Sequence, residues 1–505
     1  MKSLFKAVAI VSIFSIITRL LGFFFRIFLS RKLGAEGLGL FQMATSVLGI
    51  FMTLISSGLP LTTAKLVSKY EVNNELKRRN QVVTSALIIA LSIAVICSLI
   101  ILLLKKVWGI ILTDSRAVEL LIILIPSIIF SAVYAIFRGA LWGQNDYFSC
   151  GLTELIEQIV RFALTFIMLF TITDMFEATR NSAIAFNITC LVSAIITMII
   201  YLRRGKLKFS RAEFRPVLKS AMPITGVRLA NSLVQPLTTL IIPNMLIMIG
   251  YSASEAVASF GVIMGMTFPM LFVPMAVVGS ISMVLVPSIS SMLTKNQYDT
   301  IQGNITKSLE VSIFISMLFI PLYLSVGDLI GLVLYDNQMS GILLQLSAVC
   351  VLPITLCNLT GSILNALSLE VKSFVNYIIG SVVLFVSLIA LTPLVGINSI
   401  IISFFLSMAT ITLLNLRMIK KKLPHFEFNL VPILSKYTIV TIISSLTGHF
   451  ISNILLLFIN NFFTAIIAGG ISIAITLLLC KVFSLYDLTT LFSLIKKKKQ
   501  SKQKN

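Results

Sequence analysis

Charge is scarce in this chain of 505 residues, and acidic charge is the scarcest. Only 12% of the residues are Asp, Glu, Lys or Arg, and 19 acidic residues stand against 40 basic ones. The chain has two histidines, His425 and His449, and six cysteines without a CxxC pair. Because ligands this sparse support neither a metal site nor a disulfide framework, we expect no metal and no cofactor.

Catalytic motifs are also missing. The sequence contains no HExxH or GxSxG motif. The predicted outer loops, of about 5 to 15 residues each, are too short to fold as a catalytic domain. The sequence therefore predicts a protein that is not an enzyme.

Long apolar runs make up most of the chain, which is 57% hydrophobic with a mean hydropathy of +1.01. A lipid-facing helix needs about 20 apolar residues, whereas barrel strands show about 10 alternating ones. The sequence thus predicts an all-α integral membrane protein with about 14 transmembrane helices. The predicted spans lie near residues 6–29, 40–64, 82–104, 118–141, 152–173, 182–202, 220–249, 256–291, 305–326, 340–366, 373–392, 397–418, 433–457 and 462–483.

The positions of Lys and Arg orient these spans, because basic residues concentrate on cytoplasmic loops. Most of them fall in residues 65–79, 203–219 and 417–436 and in the C-terminal tail, which places both termini in the cytoplasm. The net charge of +21 therefore reflects membrane topology, and we expect no nucleic-acid partner. The lysines of residues 496–504 predict attraction to anionic lipid headgroups, worth about 1 kcal/mol per charge.

A short internal repeat divides the chain into halves. Glu36–Phe41 and Glu255–Phe260 share the pattern Glu-small-aliphatic-small-x-Phe, and each opens the second helix of a predicted six-helix half. Six intervening spans give the halves the same orientation, so they form two pseudo-symmetric lobes. The predicted division is an N-lobe at 1–202, a basic linker at 203–219, a C-lobe at 220–418, a second basic linker at 419–432, two further helices at 433–483 and a polybasic tail at 484–505.

Prolines inside the spans predict bending points. Pro60, Pro236, Pro269 and Pro274 are the candidate hinges. Proline removes a helix hydrogen bond, which membranes tolerate where neighbours or cavity water satisfy the freed carbonyl. These prolines are either hinges between inward-open and outward-open states or static kinks that improve packing.

Arginines within apolar spans are the strongest functional signal. Arg19, Arg26 and Arg228 lie in such spans, where a guanidinium costs about 2.5 to 3.5 kcal/mol on insertion scales. Arg19 and Arg26 are seven residues apart and therefore share one helix face. We expect these three side chains to line a cavity that carries anions.

The fifth predicted span carries charges of both signs. Glu154, Glu157 and Arg161 lie on one face, and Glu157 precedes Arg161 by four residues, which predicts a structural ion pair. A coupling role for the carboxylates is the alternative. Arg138 is predicted either to pair with Glu154 or to contact the substrate.

The motifs Thr18–Phe23, Leu33–Gly39 and Gly58–Leu61, with Arg138-Gly139 and Pro223–Arg228, resemble the multidrug/oligosaccharidyl-lipid/polysaccharide (MOP) flippase superfamily. The resemblance is closest to the branch of stage V sporulation protein B and polysaccharide flippases, and the chain is also similar to lipid II flippases of the MurJ type. It implies a V-shaped pair of six-helix lobes with two extra helices, in the plasma membrane of a bacterium. By the same similarity Arg19 and Arg26 would meet a pyrophosphate.

The implied function is alternating-access movement of an undecaprenyl-diphosphate-linked saccharide, a peptidoglycan or polysaccharide precursor, from the inner to the outer leaflet. A cation-coupled multidrug exporter of the same superfamily is one alternative, and a scaffold that recruits an envelope synthase is another. We expect a monomer. The sequence carries no readable code for the glycan or for the energy coupling.

Overall fold

The computed structural model describes residues 2–424, 426, 428, 430–483 and 485. In those residues the chain is helical almost throughout and has no strand. A π-helical turn covers Val262–Thr267, and 3₁₀ turns cover Arg211–Glu213 and Ala348–Cys350. The α-helices are α1 Lys2–Ser56, α2 Gly58–Val72, α3 Leu76–Leu103, α4 Lys105–Ile111, α5 Ser115–Ile123, α6 Ile125–Gly143, α7 Tyr147–Leu169, α8 Met175–Leu202, α9 Phe214–Ser232, α10 Val234–Met248, α11 Ala253–Gly261, α12 Phe268–Leu271, α13 Val273–Thr294, α14 Tyr298–Tyr335, α15 Gln338–Ser347, α16 Val351–Ala366, α17 Glu370–Val395, α18 Asn398–Lys422, α19 Leu430–Leu455 and α20 Asn461–Val482.

The predicted all-α membrane class is confirmed. Among the described residues, 12 helical segments are long and apolar enough to cross a membrane. Every predicted span falls on helix, although several are built from two or more helices in succession, such as α5 with α6 and α9 with α10. The total of about 14 spans and the side of the termini stay predictions. His425 and the lysines of the polybasic tail lie outside the described residues.

The predicted hinge prolines share one structural position. Pro60, Pro236, Pro269 and Pro274 each lie in the first turn of a helix, namely α2, α10, α12 and α13. The first turn tolerates proline because its N–H groups have no partner inside the helix. These prolines therefore mark places where one span is already divided into two helices, and hinge motion at them stays a prediction.

Four helical hairpins close with the same turn. Asn74, Asn145, Asn296 and Ser368 have positive φ angles between 54° and 59°, and each follows a helix C-terminus. In each case the next residue's N–H bonds to the carbonyl five residues earlier, as from Glu75 to Tyr70 at 2.8 Å. This Schellman geometry satisfies carbonyls that the helix end leaves free. The turns join α2 to α3, α6 to α7, α13 to α14 and α16 to α17, so two occur in each half of the chain.

The chain forms two compact units, residues 1–265 and 266–505. In the second unit, α14 packs against α15, α16, α19 and α20, and Ser316 and Thr355 share a 2.6 Å hydrogen bond. In the first unit, α1 packs against α7, α8 and α11. Because α9 to α11 pack within the first unit, this division falls later than the predicted start of the C-lobe at residue 220. The predicted lobe boundaries follow the order of the membrane spans along the chain, whereas this division reflects which helices pack together. The division therefore does not test the predicted boundaries.

The two copies of the sequence repeat lie against each other in the first unit. α1 bends at Gly34, whose φ of 65° is easily adopted by glycine, and the first copy begins two residues later. A Cβ on Gly39 would lie 3.0 Å from the Val257 carbonyl carbon and closer still to its oxygen. Gly261 likewise leaves no room for a Cβ against the Ala35 carbonyl. Glycine at these positions therefore allows the backbones of α1 and α11 to touch.

Candidate functional site

Helix α7 carries the charged face of the first unit. The helix starts at the N-cap Asp146, whose carboxylate accepts a hydrogen bond from the Ser149 N–H at 3.1 Å. Its 23 residues are less apolar than the neighbouring spans because they include Glu154, Glu157 and Arg161. α7 packs against α1 and α8, and the side chains of Glu157 and Arg161 are mostly buried there.

Helix α6 approaches α2 through two glycines. A Cβ on Gly139 would lie 2.5 Å from the Pro60 carbonyl oxygen, and a Cβ on Gly143 the same distance from the Ala64 oxygen. Glycines four residues apart lie on one face and let two backbones come close. Arg138, beside this contact, is thereby set where α2, α6 and α7 meet.

A cavity of about 990 Å³ opens between α1, α2, α6, α7, α8 and α9, and we call it the arginine cavity. Three guanidinium groups and one carboxylate line it, from Arg138, Arg161, Arg228 and Glu157. Pro60, a predicted hinge, also belongs to its wall. The other polar and aromatic lining residues are Thr53, Ser56, Ser57, Ser131, Tyr134, Trp142, Phe186, Cys190, Ser193 and Ser232.

Two of the three arginines have acidic partners. Arg161 forms the predicted ion pair with Glu157 one turn away, and both side chains are about one-fifth exposed, at 20% and 18%. Its guanidinium also lies 5.2 Å from the Phe186 ring centroid. Arg138 donates to Glu154 at 2.8 Å, so the pairing predicted for this residue is present as well.

The third arginine, Arg228, is exposed, and no described residue offers it an ion-pair or hydrogen-bond partner. It lies on α9, which packs against α2 where Gly58 contacts the Ala221 carbonyl and Thr225. The basic linker before α9 is held in place by α3, since Arg79 donates to the Arg204 carbonyl at 3.0 Å. The cavity therefore holds one guanidinium whose charge no described carboxylate neutralises.

The structure does not bring all the predicted arginines together. Arg19 and Arg26 are exposed on the first part of α1, and neither is among the residues that line the arginine cavity. Of the predicted site residues, the cavity collects Arg138, Arg161, Arg228 and Glu157. The substrate-binding role of each arginine stays a prediction.

Sequence reasoning missed the aromatic lining of the cavity. Tyr134 and Trp142 lie four residues before and after Arg138 on α6, so the three side chains form one stripe. The Arg138 guanidinium lies 5.9 Å from the Tyr134 ring centroid. The signal available in the sequence was an aromatic residue four positions before Arg138 and another four positions after it.

A second, smaller cavity of about 520 Å³ adjoins the first, and we call it the vestibule. Both cavities are lined by Leu61, Ala64 and Trp142. The vestibule extends towards the α6–α7 turn, and its polar and aromatic lining also includes Thr62, Lys65, Ser68, Asn145, Tyr147 and Ser220. Trp142 thus lies where the two cavities meet.

This arrangement favours binding of an anion. Guanidinium groups make charge-assisted hydrogen bonds to phosphate and carboxylate oxygens, which are stronger inside a low-dielectric span than in water. Across the described part of the chain, no three His, Cys, Asp or Glu side chains lie close enough together to hold a metal ion.

Several known proteins are similar to this chain. Residues 4–293 match the family model described as "Polysaccharide biosynthesis protein". Stage V sporulation protein B of Bacillus subtilis is 22% identical over 81% of this chain and 82% of its own. The lipid II flippase MurJ of the same organism is 20% identical over 88% of this chain and 87% of its own.

Solved structures share the fold. MurJ in an inward closed conformation superposes with a TM-score of 0.68 at 16% identity, covering 94% of this chain and 98% of that one. An inward-facing MATE family multidrug resistance transporter of the MOP superfamily gives a TM-score of 0.69 at 14% identity, covering 83% and 98%. Together with the 12 span-length helices of the described residues, these relatives indicate a multi-pass protein of the bacterial plasma membrane. The chain belongs to the polysaccharide biosynthesis protein family.

Proposed function

We propose that the protein is a flippase that moves an undecaprenyl-diphosphate-linked saccharide from the inner to the outer leaflet by alternating access. The similarity to the lipid II flippase MurJ supports a substrate of this class. A diphosphate carries the negative charge that the arginine cavity would attract, while the prenyl tail stays in lipid.

Arg228 is the observation that carries the proposal. Charged side chains inside the helix bundle of a membrane protein usually pair with an opposite charge or mark a substrate pathway. Arg138 and Arg161 already have carboxylate partners, whereas Arg228 has none among the described residues. A bound diphosphate would supply that partner.

The membrane potential supports the outward direction. A negative interior favours export of negative charge by about 2.3 kcal/mol per charge per 100 mV. The same field draws an empty cationic cavity back towards the inside. Outward transport of the anion and inward return of the empty cavity would therefore both follow the field.

The proposal is tested by reconstitution in proteoliposomes with a fluorescent prenyl-diphosphate disaccharide. Arg228→Ala should reduce outward flipping by at least about tenfold, since a charge-assisted contact is worth about 1.5 to 3 kcal/mol. Arg19→Ala should also abolish flipping if Arg19 meets the diphosphate in another state. Arg180→Ala is the control, because Arg180 is 47% exposed and pairs with Glu119 and Glu177 outside the cavity. Undiminished flipping by Arg228→Ala with wild-type folding would reject the proposal.

A cation-coupled multidrug exporter is the second candidate, favoured by the shared fold of the MATE family transporter. Such an exporter needs a membrane-embedded carboxylate that exchanges an ion for the drug. At the arginine cavity the described carboxylates are those of Glu154 and Glu157, and both are held in ion pairs with arginine. The excess of arginine in the cavity favours an anionic substrate over a cationic drug.

A further inference from the structure

We infer that Trp142 is the platform on which the first sugar ring of the substrate stacks, which assigns the vestibule to the saccharide and the arginine cavity to the diphosphate. This inference rests on the proposed function, because it concerns the two ends of one lipid-linked saccharide. It names a specificity-determining residue that recognises the glycan part.

The position of Trp142 fits this role. It lines both cavities and is 41% exposed, although it lies inside the first unit near the end of α6. Its ring meets the Tyr147 ring edge to face, with centroids 5.7 Å apart, which fixes the indole and leaves surface free for a ligand. Apolar C–H faces of a pyranose ring pack well against such an aromatic surface.

The spacing along α6 fits a sugar diphosphate. Trp142 follows Arg138 by four residues, so the two side chains share a face and are separated by about 6 Å along the axis. This separation is comparable with that between a phosphate and the sugar ring that it carries. A diphosphate at the guanidinium groups would therefore place its first sugar beside the indole.

Unpartnered hydroxyls provide independent support. Among the described residues, the hydroxyls of Thr62 in the vestibule and of Ser57 and Ser193 in the arginine cavity find no hydrogen-bond partner, and these residues are at most 4% exposed. A buried polar group without a partner costs free energy, so such groups in a cavity wall indicate a polar ligand. Sugars offer many donors and acceptors, whereas a prenyl tail offers none. The Thr62 hydroxyl therefore favours a glycan in the vestibule, and the Ser57 and Ser193 hydroxyls fit a diphosphate that accepts hydrogen bonds in the arginine cavity.

The chain has two tryptophans, which makes the inference directly measurable. The Trp108 Nε1 group has no hydrogen-bond partner in the described part of the chain, so Trp108→Phe loses no hydrogen bond seen there and leaves Trp142 as the sole tryptophan fluorophore. This variant is titrated in detergent with a prenyl-diphosphate disaccharide and with the same prenyl diphosphate lacking sugar. We expect the disaccharide lipid to change Trp142 emission and the bare lipid to bind without doing so.

Flipping of the same two lipids in proteoliposomes completes the test. Trp142→Ala should lower flipping of the disaccharide lipid by up to about tenfold, the effect of one aromatic contact, and that of the bare lipid by less than about twofold. Trp142→Phe should keep folding and most of the sugar preference. Phe170→Ala, at an exposed aromatic outside both cavities, is the matched control.

The outcomes separate the two proposals. If the wild-type protein flips neither lipid, the proposed function fails. If it flips both and Trp142→Ala lowers both equally, or lowers neither, the proposed function stands and the saccharide platform is rejected. An emission change of equal size with both lipids would reject the platform as well.

Discussion

The Arg138 guanidinium donates a 2.8 Å hydrogen bond to the Glu154 carboxylate, and this contact joins α6 to α7 at the arginine cavity. The side chains are 35% and 40% exposed, so solvent screens the pair and its contribution to stability is small. Its larger effect concerns ligand binding. While Glu154 neutralises Arg138, one fewer positive charge acts on an anion in the cavity.

Removing that carboxylate should therefore strengthen anion binding. We expect Glu154→Gln to raise the affinity for a prenyl diphosphate by about twofold to tenfold, because Arg138 gains a free charge near the ligand. Stability should fall by no more than about 1 kcal/mol. Binding is measured by titration in detergent, and Arg138→Gln should have the opposite effect. A weaker affinity in Glu154→Gln would contradict this role of the pair.

Glu157 distinguishes a flippase from a cation-coupled exporter. In the flippase, the Glu157 carboxylate serves mainly to hold Arg161, so Glu157→Gln should retain most of the flipping activity. Breaking the pair leaves a partly buried guanidinium without its partner, and we expect a loss of about 1 to 3 kcal/mol in stability. Flipping in proteoliposomes and drug resistance on overexpression are measured in parallel. Drug resistance that Glu157→Gln abolishes would favour the exporter.

The glycine contact between α1 and α11 should be sensitive to a single methyl group. Gly39→Ala places a Cβ against the Val257 backbone, and a rigid carbonyl cannot move aside as a side chain can. We expect a loss of about 1 to 3 kcal/mol, seen as a lower thermal unfolding temperature in detergent. Gly49→Ala is the control on the same helix, because a Cβ there would meet no neighbouring atom of the described chain within 4 Å. Equal stability of the two variants would show that the close approach is unimportant.

Asp114 predicts a pH dependence of stability at the N-terminus of α5. Burial raises the pKa of the Asp114 carboxyl, but hydrogen bonds from the Arg116 side chain and N–H outweigh it and lower the pKa below its ordinary 3.8. Because the folded pKa is the lower one, the ionised carboxylate stabilises the fold above about pH 4, and this contribution disappears as the pH falls through the folded pKa. Arg116 also pairs with Glu36, which ties α5 to α1 just after the Gly34 bend.

Asp114→Asn provides the test, since asparagine can still cap the helix but carries no charge. At about pH 7 the wild type should unfold at a higher temperature than the variant, and the two curves should converge below about pH 4. Subtracting the unfolding temperature of the variant from that of the wild type at each pH cancels the contribution of the other acidic groups. A difference that persists unchanged at low pH would exclude the charge of Asp114 as its source.

The fold class could be predicted from the sequence because the bilayer allows few kinds of membrane-spanning structure. A span must satisfy its backbone hydrogen bonds internally, so each long apolar run can only be a helix, and every predicted span falls on helix. The ion pair of Glu157 and Arg161 was also predictable, because residues four apart on one helix are neighbours in any fold. Helix ends and breaks were less predictable, as where the span predicted at 256–291 contains the π-helical turn and one further break at Phe272.

The composition of the arginine cavity depended on the tertiary structure. The sequence could rank Arg19, Arg26 and Arg228 only by their placement in apolar runs, but which guanidinium groups share a cavity depends on which helices touch. Those contacts are fixed by Gly58, Gly139 and Gly143, where a missing Cβ lets α2 pack closely on α9 and α6. What the sequence determined by itself was the membrane class, the helices and the local pairs, because each follows from interactions within one span. Only packing between helices decided that Arg228 joins Arg138 and Arg161, and that Trp142 lies where the two cavities meet.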